Sequence, residues 1–149
     1  MYKTILIPLD GSTRAETILP HAISLAHRYD AELVLLKVDE PELMLGRDEV
    51  VDAEGYLEKR RRERTATLGY LESVAGRLRS ESIRVNTVIA YGSAVRAIAD
   101  AAAEAGADLV AMSSHGIGGS TRQFYGSTTA GVLQKIDRPL LVVRNRRAE

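Results

Sequence analysis

The residues with the most chemistry to offer are Ser113-Ser114-His115-Gly116, followed after nine residues by Gly126-Ser127-Thr128. Small side chains let main-chain N–H groups approach an anion, and a helix N-terminus adds partial positive charge. The stretch follows an apolar run, Leu109 to Met112, and precedes a segment with helical spacing. A strand that ends in small residues and opens a helix is how a backbone builds a phosphate cradle. Taken alone, Gly126-Ser127 reads as a plain helix start. Gly116 at one strand end and Pro8-Leu9-Asp10 at another favour the phosphate reading. Ser127 stands at an N-cap position, so its hydroxyl and those of Thr128 and Thr129 are placed to donate to anionic oxygens.

Residue type and spacing exclude several other chemistries. There is no GxxxxGK[ST] loop, and Gly116-Ile117-Gly118-Gly119 is not GxGxxG and follows the fourth strand rather than the first. No GxSxG elbow is present. Ser114 and His115 are adjacent, which is poor geometry for a nucleophile and its base. His21 and His27 do not share a helical face and read as surface or packing residues, so a histidine metal cluster is not expected. The absence of cysteine removes disulfides, thiolate zinc sites and Cys nucleophiles.

Lys+Arg and Asp+Glu number 20 each, so no global field favours nucleic acid or membrane. The run Glu58 to Arg64 is basic but interrupted by acids and lacks interleaved aromatics, which reads as a solvated helix face rather than a nucleic-acid arm. No signal peptide precedes the first strand and no apolar run approaches membrane-spanning length, so the expected location is cytoplasmic.

The elements that must position these residues follow from periodicity. Thr4 to Leu9 is a continuous apolar run, as for a parallel strand covered on both faces, and its ladder should end near Pro8, which has no N–H. Thr13-Arg14-Ala15-Glu16 has capping-box spacing and predicts a helix start, with Ile18, Ala22, Leu25, Ala26 and Tyr29 on one face and Pro20 in the early turns. Ala31 to Val38 is a second buried strand. The segment 39–53 is a long loop, for which a lid and a surface insertion fit equally. Gly55 to Ser80 predicts a helix with Leu68, Leu71, Ala75 and Leu78 inward; Gly69 and Gly76 would mark a bend or a close contact. Ile83 to Ala90 alternates, as a strand near a sheet edge does. A helix carrying Val95, Ile98, Ala99 and Ala102 then ends at Gly106. Ala107 to Met112 is the fourth strand. A helix with Thr129, Val132, Leu133 and Ile136 leads to the last strand, Leu140 to Val143.

Strand and helix alternate throughout 149 residues, with no repeat or boundary. This predicts one α/β domain: a doubly wound, five-stranded parallel sheet with helices on both faces. With strand order 3-2-1-4-5, the order reverses between the first and fourth strands. Pro8 to Asp10 and Met112 to Gly116 then face each other across the crevice.

Three segments resemble the universal stress protein family. They are Ile5-Leu6-Ile7-Pro8-Leu9-Asp10-Gly11-Ser12, then Ser113-Ser114-His115-Gly116 with nine residues to Gly126-Ser127, and Arg138-Pro139-Leu140-Leu141-Val142-Val143. The ATP-binding branch of that family carries G-x-x-G, nine residues, then G-[ST]. Gly116, Gly126 and Ser127 match, and Ser113 stands in place of the first glycine. If the backbone there needs positive φ, a serine costs about 1–2 kcal/mol; if only its carbonyl is used, serine is harmless.

The resemblance implies an ATP site formed by Pro8, Leu9, Asp10, Val38, Met112, Ser113, His115, Gly116, Gly126, Ser127 and Thr128. Asp10 would reach the ribose or base edge, Val38 would meet the adenine, and Met112 would pack on the base. Gly116, Gly126, Ser127 and Thr128 would hold the phosphates, with Mg²⁺ or Mn²⁺ accompanying the nucleotide. It also implies a homodimer paired through Leu140 to Val143, an apolar edge that is an association liability when uncovered. The expected activity is that of a stress-response sensor with little or no hydrolysis. The alternative is a nucleotide-free dimeric interaction protein of the same fold.

Overall fold

The computed structural model describes residues 1–41, 53–115 and 126–145. Gly116 and most of the 39–53 loop therefore lie outside the described residues.

The elements run in chain order as β1 (Thr4–Leu9), a 3-10 turn (Ala15–Ile18), α1 (Leu19–Tyr29), β2 (Glu32–Asp39), α2 (Ala53–Arg79) and β3 (Val85–Tyr91). They continue as α3 (Ala94–Ala105), β4 (Leu109–Ser113), α4 (Ser127–Lys135) and β5 (Leu140–Val143). The five strands form one parallel sheet of order β3-β2-β1-β4-β5, as the alternation of elements predicts.

Successive residues of the central strands point to opposite faces and divide the core in two. Ile5, Ile7, Leu33 and Leu35 pack beneath α1 and α2, against residues such as Ala22, Leu71 and Leu78. Leu6, Val34, Leu36 and Val110 pack beneath α3 and α4, against Ile98, Ala102 and Val132. This two-sided burial is why β1 and β2 read as unbroken apolar runs.

The sheet itself opens the crevice. β1 pairs with β2 as far as Leu9↔Lys37, but its pairing with β4 ends at Leu6↔Val110. Pro8 has no N–H to donate to a ladder, and beyond Leu6 the two strands part. β4 stays paired with β5 up to Ser113↔Val143. A gap is left between the ends of β1 and β4, where the strand order reverses.

Several local expectations are corrected, among them the N-cap of α4, which is Gly126 rather than Ser127. The capping box on Thr13 and Glu16 does not form. Asp10 Oδ1 accepts from the Ser12 N–H (2.9 Å) and from the Ser12 hydroxyl (2.6 Å), and Ser12 Oγ accepts from the Ala15 N–H at 3.1 Å. Ser12 thus caps a 3-10 turn, and Pro20 falls among the first residues of α1, where its missing N–H costs nothing. In α2, Leu68 is exposed, and Thr67 and Val74 take inward places beside Leu71, Ala75 and Leu78. In α4, Leu133 is exposed and Val132 carries the packing. Gly69 and Gly76 have open space where a Cβ would stand, so neither marks a close contact. Gly106 does close α3, with φ of 62°.

Candidate functional site

The gap between β1 and β4 opens into a cleft of about 900 Å³. Its floor is built from strand ends: Pro8, Leu9 and Asp10 after β1, Val38 and Asp39 of β2, Met112 and Ser113 of β4. One wall is the start of α4, Gly126 to Thr129, and the other is the α2 face bearing Ala66, Thr67 and Tyr70. Nine of the eleven residues expected at the site, Pro8, Leu9, Asp10, Val38, Met112, Ser113, Gly126, Ser127 and Thr128, line this one cleft. Gly116 lies outside the described residues. His115 does not line the cleft: its ring is buried, with Nδ1 3.0 Å from Ser114 Oγ and Nε2 without a hydrogen-bond partner among the described residues.

Hydrogen bonds hold the β4 end against α4. The Gly126 N–H donates to the Ser114 carbonyl at 2.8 Å, and the Thr129 hydroxyl donates to the Ser113 carbonyl at 3.1 Å. Ser113 Oγ donates to the His115 carbonyl at 2.8 Å. Ser113 is the last residue of β4, and among the described non-glycine residues only Asp30 and Ser82 have positive φ. The strained alternative for Ser113 does not arise. Serine fits because the position is extended, and its carbonyl serves as an acceptor.

The start of α4 leaves backbone donors without intrahelical acceptors. Ala130 donates to the Gly126 carbonyl as the first bond of the helix, which leaves the N–H groups of Ser127 and Thr128 without an intrahelical acceptor. Both residues line the cleft. Gly126 has φ −68° and ψ 164°, a conformation open to any residue, so its value lies in space. A Cβ there would stand 3.3 Å from the Ser114 carbonyl oxygen and 3.7 Å from the His115 ring.

Two groups of cleft residues escaped the sequence reading. Asp39 Oδ1 is 2.9 Å from Lys37 Nζ and accepts from the Thr67 hydroxyl at 2.8 Å. Lys37 and Asp39 are two apart on a strand and so share a face, a signal present in the sequence; Thr67 arrives from α2, which no spacing reveals. The Tyr70 hydroxyl donates to Glu16 at 3.1 Å, and Arg77 holds the other Glu16 oxygen at 2.9 Å. Burial first, and the Glu16 charge second, push the Tyr70 phenol above its ordinary value near 10. The unfolded chain therefore ionises at Tyr70 before the folded one does. Its contribution to stability is complete below pH about 10 and is lost as the pH rises beyond that. Tyr70→Phe is expected to flatten the alkaline fall in stability relative to the parent, measured as urea midpoints on either side of pH 10.

This is the architecture of a doubly wound α/β protein with its cleft at the topological switch point. The chain belongs to the universal stress protein family, whose family model matches residues 1–144. It is 30% identical over 159 aligned positions to universal stress protein MJ0577 of Methanocaldococcus jannaschii, covering 98% of this chain and 97% of the relative. The solved structure of MJ0577 superposes with a TM-score of 0.87 at 28% identity, covering 99% of each chain. Two more distant structures share the fold. One is a universal stress protein in complex with cAMP (TM-score 0.70, 18% identity, covering 97% of this chain and 98% of that one). The other is the universal stress protein from Archaeoglobus fulgidus in complex with dAMP (TM-score 0.64, 17% identity, covering 95% and 97%).

Proposed function

We propose that this chain is a single ATP-binding domain that acts as a sensor or regulator, with little or no hydrolysis. The observation that carries the reading is convergence. The ends of β1, β2 and β4 and the first turn of α4 meet in one cleft at the switch point, with Val38 and Met112 as apolar surface and the start of α4 supplying backbone N–H donors. In this reading adenine lies against Val38 and Met112, and Asp10 lies by the ribose. The phosphates lie at Gly126, Ser127 and Thr128, with Gly116 and His115 in the same motif. Two structural relatives are described with adenine nucleotides, which supports the ligand class.

The polar side chains of the cleft also favour binding over catalysis. Asp39 is engaged by Lys37 and Thr67, and Tyr70 by Glu16. No group of three or more metal-ligating side chains exists among the described residues. Mg²⁺ or Mn²⁺ would therefore enter on the nucleotide's own phosphates, neutralising their charge. β5 lies at a sheet edge with Leu140 to Val143 half-buried, and a homodimer through that edge would cover it.

Denaturing the purified protein and chromatographing the supernatant is expected to release adenine nucleotide. Stripped protein is expected to bind ATP with Mg²⁺ in calorimetry, and more tightly than GTP. A protein that neither releases nucleotide nor binds it overturns the reading in favour of a nucleotide-free dimeric interaction protein.

A further inference from the structure

A second, smaller cleft of about 230 Å³ lies on the opposite side of Asp39 and Glu63, between α2 and the outer edge of the sheet. Its chemistry differs from that of the first. Arg60, Arg61 and Arg64 of α2 border it, together with Leu57, Ile89 and Tyr91. The Arg60 guanidinium lies 3.9 Å over the Tyr91 ring, and the Tyr91 hydroxyl meets that of Tyr56 at 2.9 Å. Both acids at its lip are occupied: Asp39 by Lys37 and Thr67, and Glu63 by Lys59 at 3.9 Å. Arg61 and Arg64 are exposed and have no ion-pair or hydrogen-bond partner among the described residues. The surface around the cleft keeps Tyr56, Leu57 and Tyr91 exposed. Arginine beside exposed aromatic and aliphatic side chains is the composition of a protein-binding patch.

The backbone adds a second, independent feature. β3 is the outermost strand. The Leu33 N–H donates to the Arg84 carbonyl, and the Gly92 N–H donates to the Asp39 carbonyl. In a parallel ladder this phase turns the even-numbered residues of β3 toward β2 and the odd-numbered ones outward. Arg79 covers the start of that edge by donating to the Val85 carbonyl at 2.9 Å. Thr87, Ile89 and Tyr91 carry the rest of it, alongside the arginines. Proteins ordinarily blunt such an edge, and here, among the described residues, only its lower end is blunted.

We infer that the upper edge of β3 and the Arg60–Arg61–Arg64 face of α2 form a docking site for an acidic, extended segment of a partner protein, which adds as a strand. Main-chain hydrogen bonds to Thr87 and Ile89 supply affinity, and the free guanidiniums select carboxylates on the incoming strand. A second copy of this chain is disfavoured, because it would bring its own arginines to the same edge. Single-stranded nucleic acid is disfavoured because it needs open rings to stack on, and Arg60 already covers Tyr91, the ring that lines the cleft. The inference is independent of whether the larger cleft holds ATP.

The test uses the whole protein and a labelled, capped peptide alternating glutamate and valine, followed by fluorescence anisotropy. Its lysine–valine counterpart and oligouridine serve as competitors. Binding of the acidic peptide is expected, with amide exchange slowed at Thr87 and Ile89. The double charge reversal Arg61→Glu with Arg64→Glu is expected to weaken it about tenfold or more. Both side chains are solvated, so the variant keeps its fold, which unchanged exchange in β1 and β2 confirms. Equal binding of the lysine peptide, tighter binding of oligouridine, or no binding at all overturns the inference. So does binding without protection at Thr87 and Ile89, or their protection by self-association without peptide.

Discussion

Gly126→Leu is expected to weaken binding of ATP with Mg²⁺ about 100-fold or more, while the protein still unfolds cooperatively near the parental temperature. The backbone at Gly126, φ −68° and ψ 164°, accepts any residue, so the effect does not come from torsional strain. It comes from what the side chain meets. The Cβ alone would stand 3.3 Å from the Ser114 carbonyl, which is backbone and cannot swing aside, and 3.7 Å from the buried His115 ring. Relief of that contact is expected to lift residues 126–128 away from the end of β4, stretching the 2.8 Å bond from the Gly126 N–H to the Ser114 carbonyl. That movement carries the free N–H groups of Ser127 and Thr128 away from where phosphates would sit. A displacement of about 1 Å in a positioning element is enough for a hundredfold loss, or about 2.7 kcal/mol. Isothermal calorimetry on Gly126→Leu and on the milder Gly126→Ala checks it. Undiminished affinity in the leucine variant would remove the start of α4 from the site.

Leu35→Ala is expected to lower the unfolding free energy by about 3–4 kcal/mol, read from urea denaturation. Leu35 is fully buried near the middle of β2, on the face covered by α1 and α2. Removing its branched end loses the transfer free energy of three carbons and leaves a cavity. Strands bonded on both sides cannot collapse into it, since β2 is held by β1 and by β3. A typical domain has about 5–15 kcal/mol in total, so this variant should approach the threshold of folding near body temperature. Leu36→Ala removes a side chain of the same size from the opposite layer, beneath α3, and a comparable loss is expected. A change under about 1 kcal/mol at either position would mean that the core tolerates the cavity, contrary to the packing described.

The sheet order and the two-layer core were legible because the signals behind them are local. Unbroken apolar runs at Thr4 to Leu9 and in β2 report burial on both faces, and strands alternating with helices leave few ways to connect a parallel sheet. Of the nine cleft residues, Pro8 to Asp10, Met112 and Ser113 were legible for a related reason, since strand ends that face a crevice are set once the order is known; Val38 came from the family resemblance, and Gly126 to Thr128 from small and hydroxyl side chains at a helix start. Side-chain partners across the fold were not legible. Glu16 stood at the right spacing for a capping box, yet Tyr70 and Arg77 draw it to α2, more than fifty residues away in sequence. Thr67 displaced Leu68 from the interior because Asp39 offered its hydroxyl an acceptor.

The cradle of small residues was determined by sequence: glycine and hydroxyl side chains at a strand end and a helix start are a property of the residues themselves. What Ser113 does there was decided only by tertiary structure. Pairing with β5 holds it extended, and Thr129 from α4 takes its carbonyl, so no glycine is required. The depth of the cleft was likewise decided in three dimensions. It depends on where β1 and β4 cease to pair and on which face of α2 closes over the gap, and both are set by contacts between segments distant in sequence.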